Sequence, residues 1–389
     1  MPTRLANLGY LGLGKETTKG TAAIPSIYVP LYDDSFKTSL NLDEDNPIVG
    51  NKYEIYQALM GARDHQGEIT VLAEPNTAGH ILNMLMTKGT TTGAGPYTHP
   101  FTFDPTTDPK SYTIDLLKGQ MIERYIGAEA SELGIDYDKN KMLLKVKISA
   151  LKSFTVREIA SVFTNVVTFK TNYDASPTDG LVATDTVRIM KASDGTTQDF
   201  TVTSITATTA TLSGSPTGIV AGDLFFLRAQ TPSYTLRNPF LWAKSEFRFG
   251  ATAAAALSAT QTRMEDGSKW SIMHKFANDE GEKRSGAFDP AALARTQGRA
   301  ELETKIFFDT VNEFNRYMTA AKGSYVVRHY SEDTTYEMRV TLNNLKITES
   351  PIALKSGEIL FQEQKQIATY DTADAQAVSV TILNNLSTI

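Results

Sequence analysis

The segment Gly9-Tyr10-Leu11-Gly12-Leu13-Gly14-Lys15 fits all but the last position of a phosphate-cradling loop. In such a loop backbone N–H groups hold phosphate oxygens, and a Ser or Thr after the lysine holds magnesium. Here Glu16 stands at that last position, where its carboxylate would repel phosphate, and too few residues precede Gly9 to supply the feeding strand. A flexible arm with glycines is the expectation. Asp136-Tyr137-Asp138-Lys139-Asn140 matches the start of a calcium loop, but Lys141 replaces the required glycine and Lys147 stands where a bidentate Glu is needed. A hairpin turn accounts for it. The five histidines, His65, His80, His99, His274 and His329, show no paired ligand spacing and no nearby nucleophile cue. Carboxylates are plentiful, yet none is singled out as half of a glycosidase pair. The expectation is no enzymatic activity, no cofactor and no metal.

Composition narrows the classes further. A chain of 389 residues fits two or three domains. Its net charge of -6 argues against a surface built to grip nucleic acid by phosphate neutralisation. The lack of cysteine removes disulfide frameworks and thiolate chemistry and suits a reducing cytoplasm. Met1 to Gly20 carries Arg4, Lys15, Glu16 and Lys19 and no apolar signal core, and no apolar window approaches a membrane span. Neither secretion by that route nor membrane insertion is expected.

Alternation dominates the elements that would position any site. Phe36, Thr38, Leu40 and Leu42 alternate, as do Tyr112, Ile114 and Leu116, then Leu133, Ile135 and Tyr137, then Leu144, Val146 and Ile148. Each run reads as a strand with one face inward, and Asp138-Lys139-Asn140 as the turn of a hairpin. Asn76 is the expected cap of a helix carrying Ile81, Leu82 and Leu85 on the face that packs on a sheet, with Gly89 just past its end. Asp309 is the expected cap of a second helix with Val311, Phe314, Tyr317 and Met318 apolar, followed by Gly323.

An offset of about 233 positions lays Ile69-Thr70-Val71 on Leu302-Glu303-Thr304, Ile81 on Phe314 and Leu85 on Met318, so two copies of one fold are expected. Ser111-Tyr112-Thr113-Ile114 then falls on Thr335-Tyr336-Glu337-Met338, and the hairpin Leu133 to Ile148 on Leu345 to Phe361. Between the copies, about Ala160 to Pro232, composition shifts to Thr, Ser, Ala and Val with turn pairs Asp194-Gly195 and Gly222-Asp223, as for a small inserted β-barrel or sandwich. The expected organisation is an extended arm over 1–27, a first copy over 28–158, an inserted β domain over 159–236 and a second copy over 237–389. Two long charged loops occupy matching places, Gly50 to Gly67 after Asp43-Glu44-Asp45, and Met264 to Gly298. Asp43, Glu44, Asp45, Arg63, Asp64, Glu280, Glu282, Lys283 and Arg284 are therefore candidates for contact with neighbouring subunits.

The order of Gly14-Lys15-Glu16-Thr17-Thr18, Glu44-Asp45-Asn46-Pro47-Ile48-Val49-Gly50, Tyr56-Gln57-Ala58-Leu59, Gly67-Glu68-Ile69-Thr70-Val71, Pro75-Asn76-Thr77-Ala78-Gly79-His80, Gly93 to His99 and Ala287-Phe288-Asp289-Pro290-Ala291-Ala292 resembles the major tail tube proteins of long-tailed, siphovirus-like bacteriophages. The resemblance covers both copies but not the insert. It implies a mainly β fold, two tandem tail-tube β-sandwiches each with a flanking α-helix plus the inserted β domain, with sheets of neighbours joining into one barrel. It further implies stacked rings around a smooth acidic lumen through which DNA passes as cargo. A duplicated chain implies a trimeric ring of pseudo-sixfold symmetry, with the insert outside. Partners would be the chain itself, a tape measure protein in the lumen, and terminator and distal tail or baseplate proteins, in a virion tail assembled in the host cytoplasm. Two alternatives stand beside it: a tail hub or terminator, and a carbohydrate-binding adhesive module carried by the Thr-rich insert, Trp242, Trp270 and sixteen tyrosines.

Overall fold

The computed structural model describes residues 9–45, 57–171, 176–235, 237–262, 268–278, 280–283, 285, 287–307, 311–332, 334–351 and 360–389. The fold is mainly β. The first half holds β1 (Leu11–Lys15), β2 (Ile27–Val29), β3 (Leu31–Asp34), β4 (Lys37–Asp45), β5 (Gln57–Leu72), α1 (Ala78–Leu85), β6 (Thr87–Lys88), β7 (Tyr97–Thr102), β8 (Tyr112–Lys118), β9 (Met121–Asp138), β10 (Lys141–Ser149) and β11 (Lys152–Phe154). Next come β12 (Arg157–Phe163), β13 (Val166–Phe169), β14 (Thr186–Met190), β15 (Thr197–Ile205), β16 (Thr209–Leu212) and β17 (Leu224–Leu227). The second half holds β18 (Phe240–Gly250), α2 (Ala253–Ser258), β19 (Lys269–Phe276), β20 (Arg295–Phe307), α3 (Asn312–Met318), β21 (Gly323–Ser331), β22 (Glu337–Glu349), β23 (Phe361–Ile367) and β24 (Val378–Asn384).

Apolar alternation along β9 and β10 forces their hairpin, whose two-residue turn puts Lys139 at φ +58° between paired Asp138 and Lys141. Strand β9 belongs to two sheets: its first part bonds β8 and β11, and its later part bonds β10. Gly127, at φ +66°, lies where it turns the corner. The pairing order in one sheet is β4–β5–β10–β9, with β3 also on β5, and in the other β2–β1–β8–β9–β11.

The second half repeats this order apart from β2 and β3. Its runs are β19–β20–β23–β22 and β18–β21–β22–β24, with β22 shared as β9 is shared. Asn344, at φ +47°, lies where β22 passes from β21 to β23; asparagine tolerates that backbone better than other side-chain-bearing residues. The pairings set β8 against β21, one strand earlier than the sequence offset does.

The two halves are not beads on a string. Strand β9 pairs with β19 through Gly134↔Ser271, Leu133↔Ile272 and Glu132↔Met273, so one sheet runs β4–β5–β10–β9–β19–β20–β23–β22. On the other side β24 pairs with β7, and one apolar core extends from Leu11 to Ile389. Helix α1 sits at this junction with every residue buried, instead of lying sideways on one sheet. Its cap position is Thr77, without a side-chain bond, rather than Asn76, and it ends at Met86, three residues before Gly89. Asp309 lies outside the described residues, and Gly323 opens β21.

The segment expected as a loose arm is structural from residue 9 onward. Strand β1 fills the slot between β2 and β8, with Leu11 and Leu13 fully buried. A Cβ at Gly14 would lie 2.6 Å from the Ala23 carbonyl oxygen, so close approach explains that glycine.

Strands β12–β13–β16–β15–β14–β17 close a small barrel over residues 157–227. Thr-rich alternation supplies an inward face of Val167, Val187, Ile189, Val202 and Phe225, and full closure removes sheet edges. The barrel is bolted to the first half: Tyr10, Ile122, Ile126 and Phe154 complete its apolar cluster. Beside them Arg124 forms a double ion pair, Nε to Asp115 at 2.7 Å and Nη1 to Asp185 of the barrel at 2.7 Å, all three side chains buried. Burial opposes the guanidinium charge, but the two carboxylates outweigh it and raise its pKa above the ordinary value. Arg124→Met leaves both carboxylates buried without their cation and is expected to cost about 3–5 kcal/mol in urea unfolding. A cost under ~1 kcal/mol would mean that other groups hold the barrel.

Candidate assembly interface

Most of the candidate contact residues fall on the β4–β5 hairpin and on the connection between β19 and β20. The first expected loop is largely strand, since β5 begins at Gln57, whereas the second contains β19 (Lys269–Phe276) and the start of β20 around a long connection. Asp43, Glu44 and Asp45 are the last residues of β4, paired with Leu59, Ala58 and Gln57, and Glu44 is exposed.

Arg63, Asp64 and Lys283 are used inside one chain rather than left for a neighbour. Lys283 Nζ bridges Asp64 Oδ1 at 3.0 Å and Glu280 Oε2 at 2.6 Å. The Arg63 N–H donates to the Phe288 carbonyl at 2.7 Å, and its guanidinium lies 3.6 Å from Asp289 and over the Phe288 ring. Glu282 is exposed and bonds Ala292 through the backbone, while Arg284 lies outside the described residues. The connection of the second half thus docks on β5 of the first, because complementary charges and a backbone hydrogen bond meet there.

Beyond this docking the hairpin is bare. Phe36 is buried as alternation requires, but Leu40, Leu42 and Leu59 are 55%, 59% and 53% exposed. Leu40 and Leu42 share one face of the hairpin and Leu59, paired with Asp43, lies on the other, so apolar side chains are bare on both faces.

Groups that could do chemistry are tied into structure. Asp289 Oδ1 lies 3.2 Å from His65 Nε2, and His65 Nδ1 lies 3.0 Å from Thr38 Oγ1, which bonds Ser153 Oγ at 3.1 Å. This carboxylate–imidazole–hydroxyl chain has the order of a nucleophile and its base, yet the ring is sealed from solvent. It ties the second half to β4, β5 and β11. Burial works to raise the Asp289 pKa, but the His65 hydrogen bond and Arg63 hold it below the ordinary value. His329 accepts from Trp270 Nε1–H at 3.0 Å, so its Nδ1–H donates to Ser245 Oγ at 2.7 Å, and Ser245 donates to the Leu241 carbonyl. That tautomer cannot take the Ser245 proton. Trp270 is accordingly core, and Trp242 packs between Tyr137 and Phe247.

Glu16 is buried and accepts from Ser111 Oγ, Thr113 Oγ1, Gly20 N–H and Gly127 N–H at 2.8 to 2.9 Å. Asp136 pairs with Lys145, as a surface hairpin residue does. Sequence reasoning missed Glu129, buried between Lys19 at 2.5 Å and Arg295 at 2.9 Å. It also missed Asp115 and Arg124. The available signal was charge inside the strand runs Tyr112–Lys118 and Met121–Asp138, which requires a second layer over that face.

Burial pushes His329 down to about 3 and His80 down to about 4, so both are neutral at pH 7. The unfolded chain therefore binds protons first as pH falls below about 6.5; the stability is whole above that value and is lost as pH drops toward the folded pKa. From pH 7 to pH 5 the parent chain should lose on the order of 2 kcal/mol more than His329→Asn in urea unfolding. Equal losses would contradict a buried neutral His329. No protein-family model and no curated protein matches this sequence.

Proposed function

We propose that the chain is the structural subunit of a bacteriophage tail tube, made of two tandem tail-tube β-sandwiches, 28–158 and 237–389, joined edge to edge. The residues at 9–27 belong with the first unit, and the barrel is its outward appendage. The observation that carries this reading is the β9–β19 junction. It supports the reading because the same edge pairing, made between chains, would join subunits in a ring.

Repetition of the pairing order makes the two ends of the long sheet complementary. At one end β3 and β4 bond only β5, and at the other Lys346–Glu349 of β22 bonds only β23, among the described residues. By the registers and their shared shifts, Lys346–Glu349 of β22 corresponds to Glu129–Glu132 of β9, and Lys37–Ser39 of β4 corresponds to Ser271–Met273 of β19. The β22 edge of one copy therefore matches the β4 edge of the next. A heterologous contact that closes gives a ring, and three two-unit chains make the pseudo-sixfold ring that the resemblance implies.

The bare face of the long sheet would line the channel. It is a mosaic rather than uniformly acidic: Lys145 pairs with Asp136 at 2.7 Å, Lys365 with Glu349 at 3.3 Å, and Arg299 with Glu301. Paired charges leave little net field to release counterions from DNA, so the duplex would slide without sticking. The barrel rests on the β8–β9–β11 sheet, across the core from that face, which suits an exterior position. Within a virion tail assembled in the host cytoplasm, a tape measure protein would fill the lumen, and terminator and distal tail proteins would cap the stack.

Electron microscopy of the purified full-length chain is expected to show hollow stacked rings of three chains. Six chains per ring would remove the duplication, and single chains that never stack at high concentration would remove the tube.

A further inference from the structure

We propose that the apolar face of α3 together with Tyr370 is the receiving half of the contact between copies, and that the β4–β5 hairpin of a second copy is its occupant. The proposal rests on the ring reading above and adds the side chains that would carry it.

The two equivalent helices are treated oppositely in one chain. Ile81, Met84 and Leu85 of α1 are fully buried, whereas Phe314, Tyr317 and Met318, at the matching positions of α3, are 36%, 36% and 67% exposed. The added cover on α1, beyond its own β9, β6 and β7, comes from the other half. His274 of β19 approaches the Leu85 carbonyl at 3.4 Å, Arg295 of β20 donates to the Met84 carbonyl at 2.9 Å, and the Ile389 side chain abuts Gly79. The first-half counterparts of β19 and β20 are β4 and β5. Carried across the β22–β4 junction, the same relation sets a neighbour's β4–β5 hairpin against α3.

The exposed leucines fit that place. Leu40 pairs with Arg63 as His274 pairs with Gly298, and after the same register shift Leu42 pairs with Met60 as Phe276 pairs with Arg295, so Leu40 occupies the position of His274 and Leu42 that of Phe276. Phe276 is buried against Leu151, just past β10, and Leu293. The corresponding stretch past β23 carries Tyr370, which is 62% exposed. Both halves of the contact are therefore apolar and bare in the isolated chain, and each resembles a half that is covered at β9–β19. Burial of the two together removes apolar surface from water in one step.

The two halves lie on different parts of the molecule, so they can be disabled separately. In analytical ultracentrifugation of full-length chains, Leu40→Asp and Met318→Asp are each expected to sediment as single chains where the parent forms rings. An equimolar mixture should give a discrete two-chain species, because the intact hairpin of the Met318→Asp chain can still enter the intact α3 face of the Leu40→Asp chain. That complementation also proves both variants folded. A mixture that stays single, or variants that form parent-like rings, would overturn the proposal while leaving the ring itself standing. Open chains of the parent, abolished by either variant, would keep this contact and sink the ring. A parent that stays single at every concentration would overturn both.

Discussion

The fold depends on one constraint: a strand edge with free N–H and C=O groups must find a partner or stay an open template. Strand β9 meets that constraint with β19, and the pairing joins the two halves of the chain into one sheet over one core. Everything at the junction follows from it. Helix α1 becomes wholly buried, Arg295 is drawn in to donate to the carbonyls of Met84, Ala130 and His274, and Glu129 is buried to balance its charge. The same constraint is left unmet at the two ends of the sheet, where the edges of β4 and β22 are open among the described residues.

Much of the first half was legible because it follows simple alternation. The runs around Ile114, Leu133 and Val146 became β8, β9 and β10, and the Asp138–Asn140 turn fell where its residues demand it. The Thr-rich insert was legible for the same reason, since its short strands carry one apolar face each. Strand β1 was not, because a strand buried on both faces does not alternate and its glycines answer to the neighbouring backbone near Ala23. In the second half β23 carries Gln362, Gln364 and Gln366 where β10 carries Leu144, Val146 and Ile148, so its inward face reads as polar. Those glutamines are buried and partly satisfied by Ser350 and Thr304.

The candidate surface was half legible. Charge runs marked the two regions that meet around Asp64 and Lys283, but no single-chain pattern reveals that Lys283 turns back onto Asp64, or that Leu40 and Leu42 are left exposed where Phe36, on the same face, is covered. Alternation fixes which residues share a face and not whether the chain itself covers it. Buried charges were the other blind spot. Asp115 and Arg124 look like solvated strand residues until the barrel is laid over them, and their pairing is what fixes the barrel to the body.

The central claim is that the β22 edge of one copy pairs with the β4 edge of another in the register of β9 with β19. That register sets Glu349 opposite Ser39, as Glu132 lies opposite Met273, and neither Glu349 nor Ser39 is buried. Directly opposed strand residues are close enough for a disulfide, and the native chain has no cysteine to compete. A chain carrying Ser39→Cys and Glu349→Cys, oxidised and run on a denaturing gel without reductant, is expected to give a ladder that stops at a covalent circle of three. Single chains alone, or a ladder without a limit, would contradict the account.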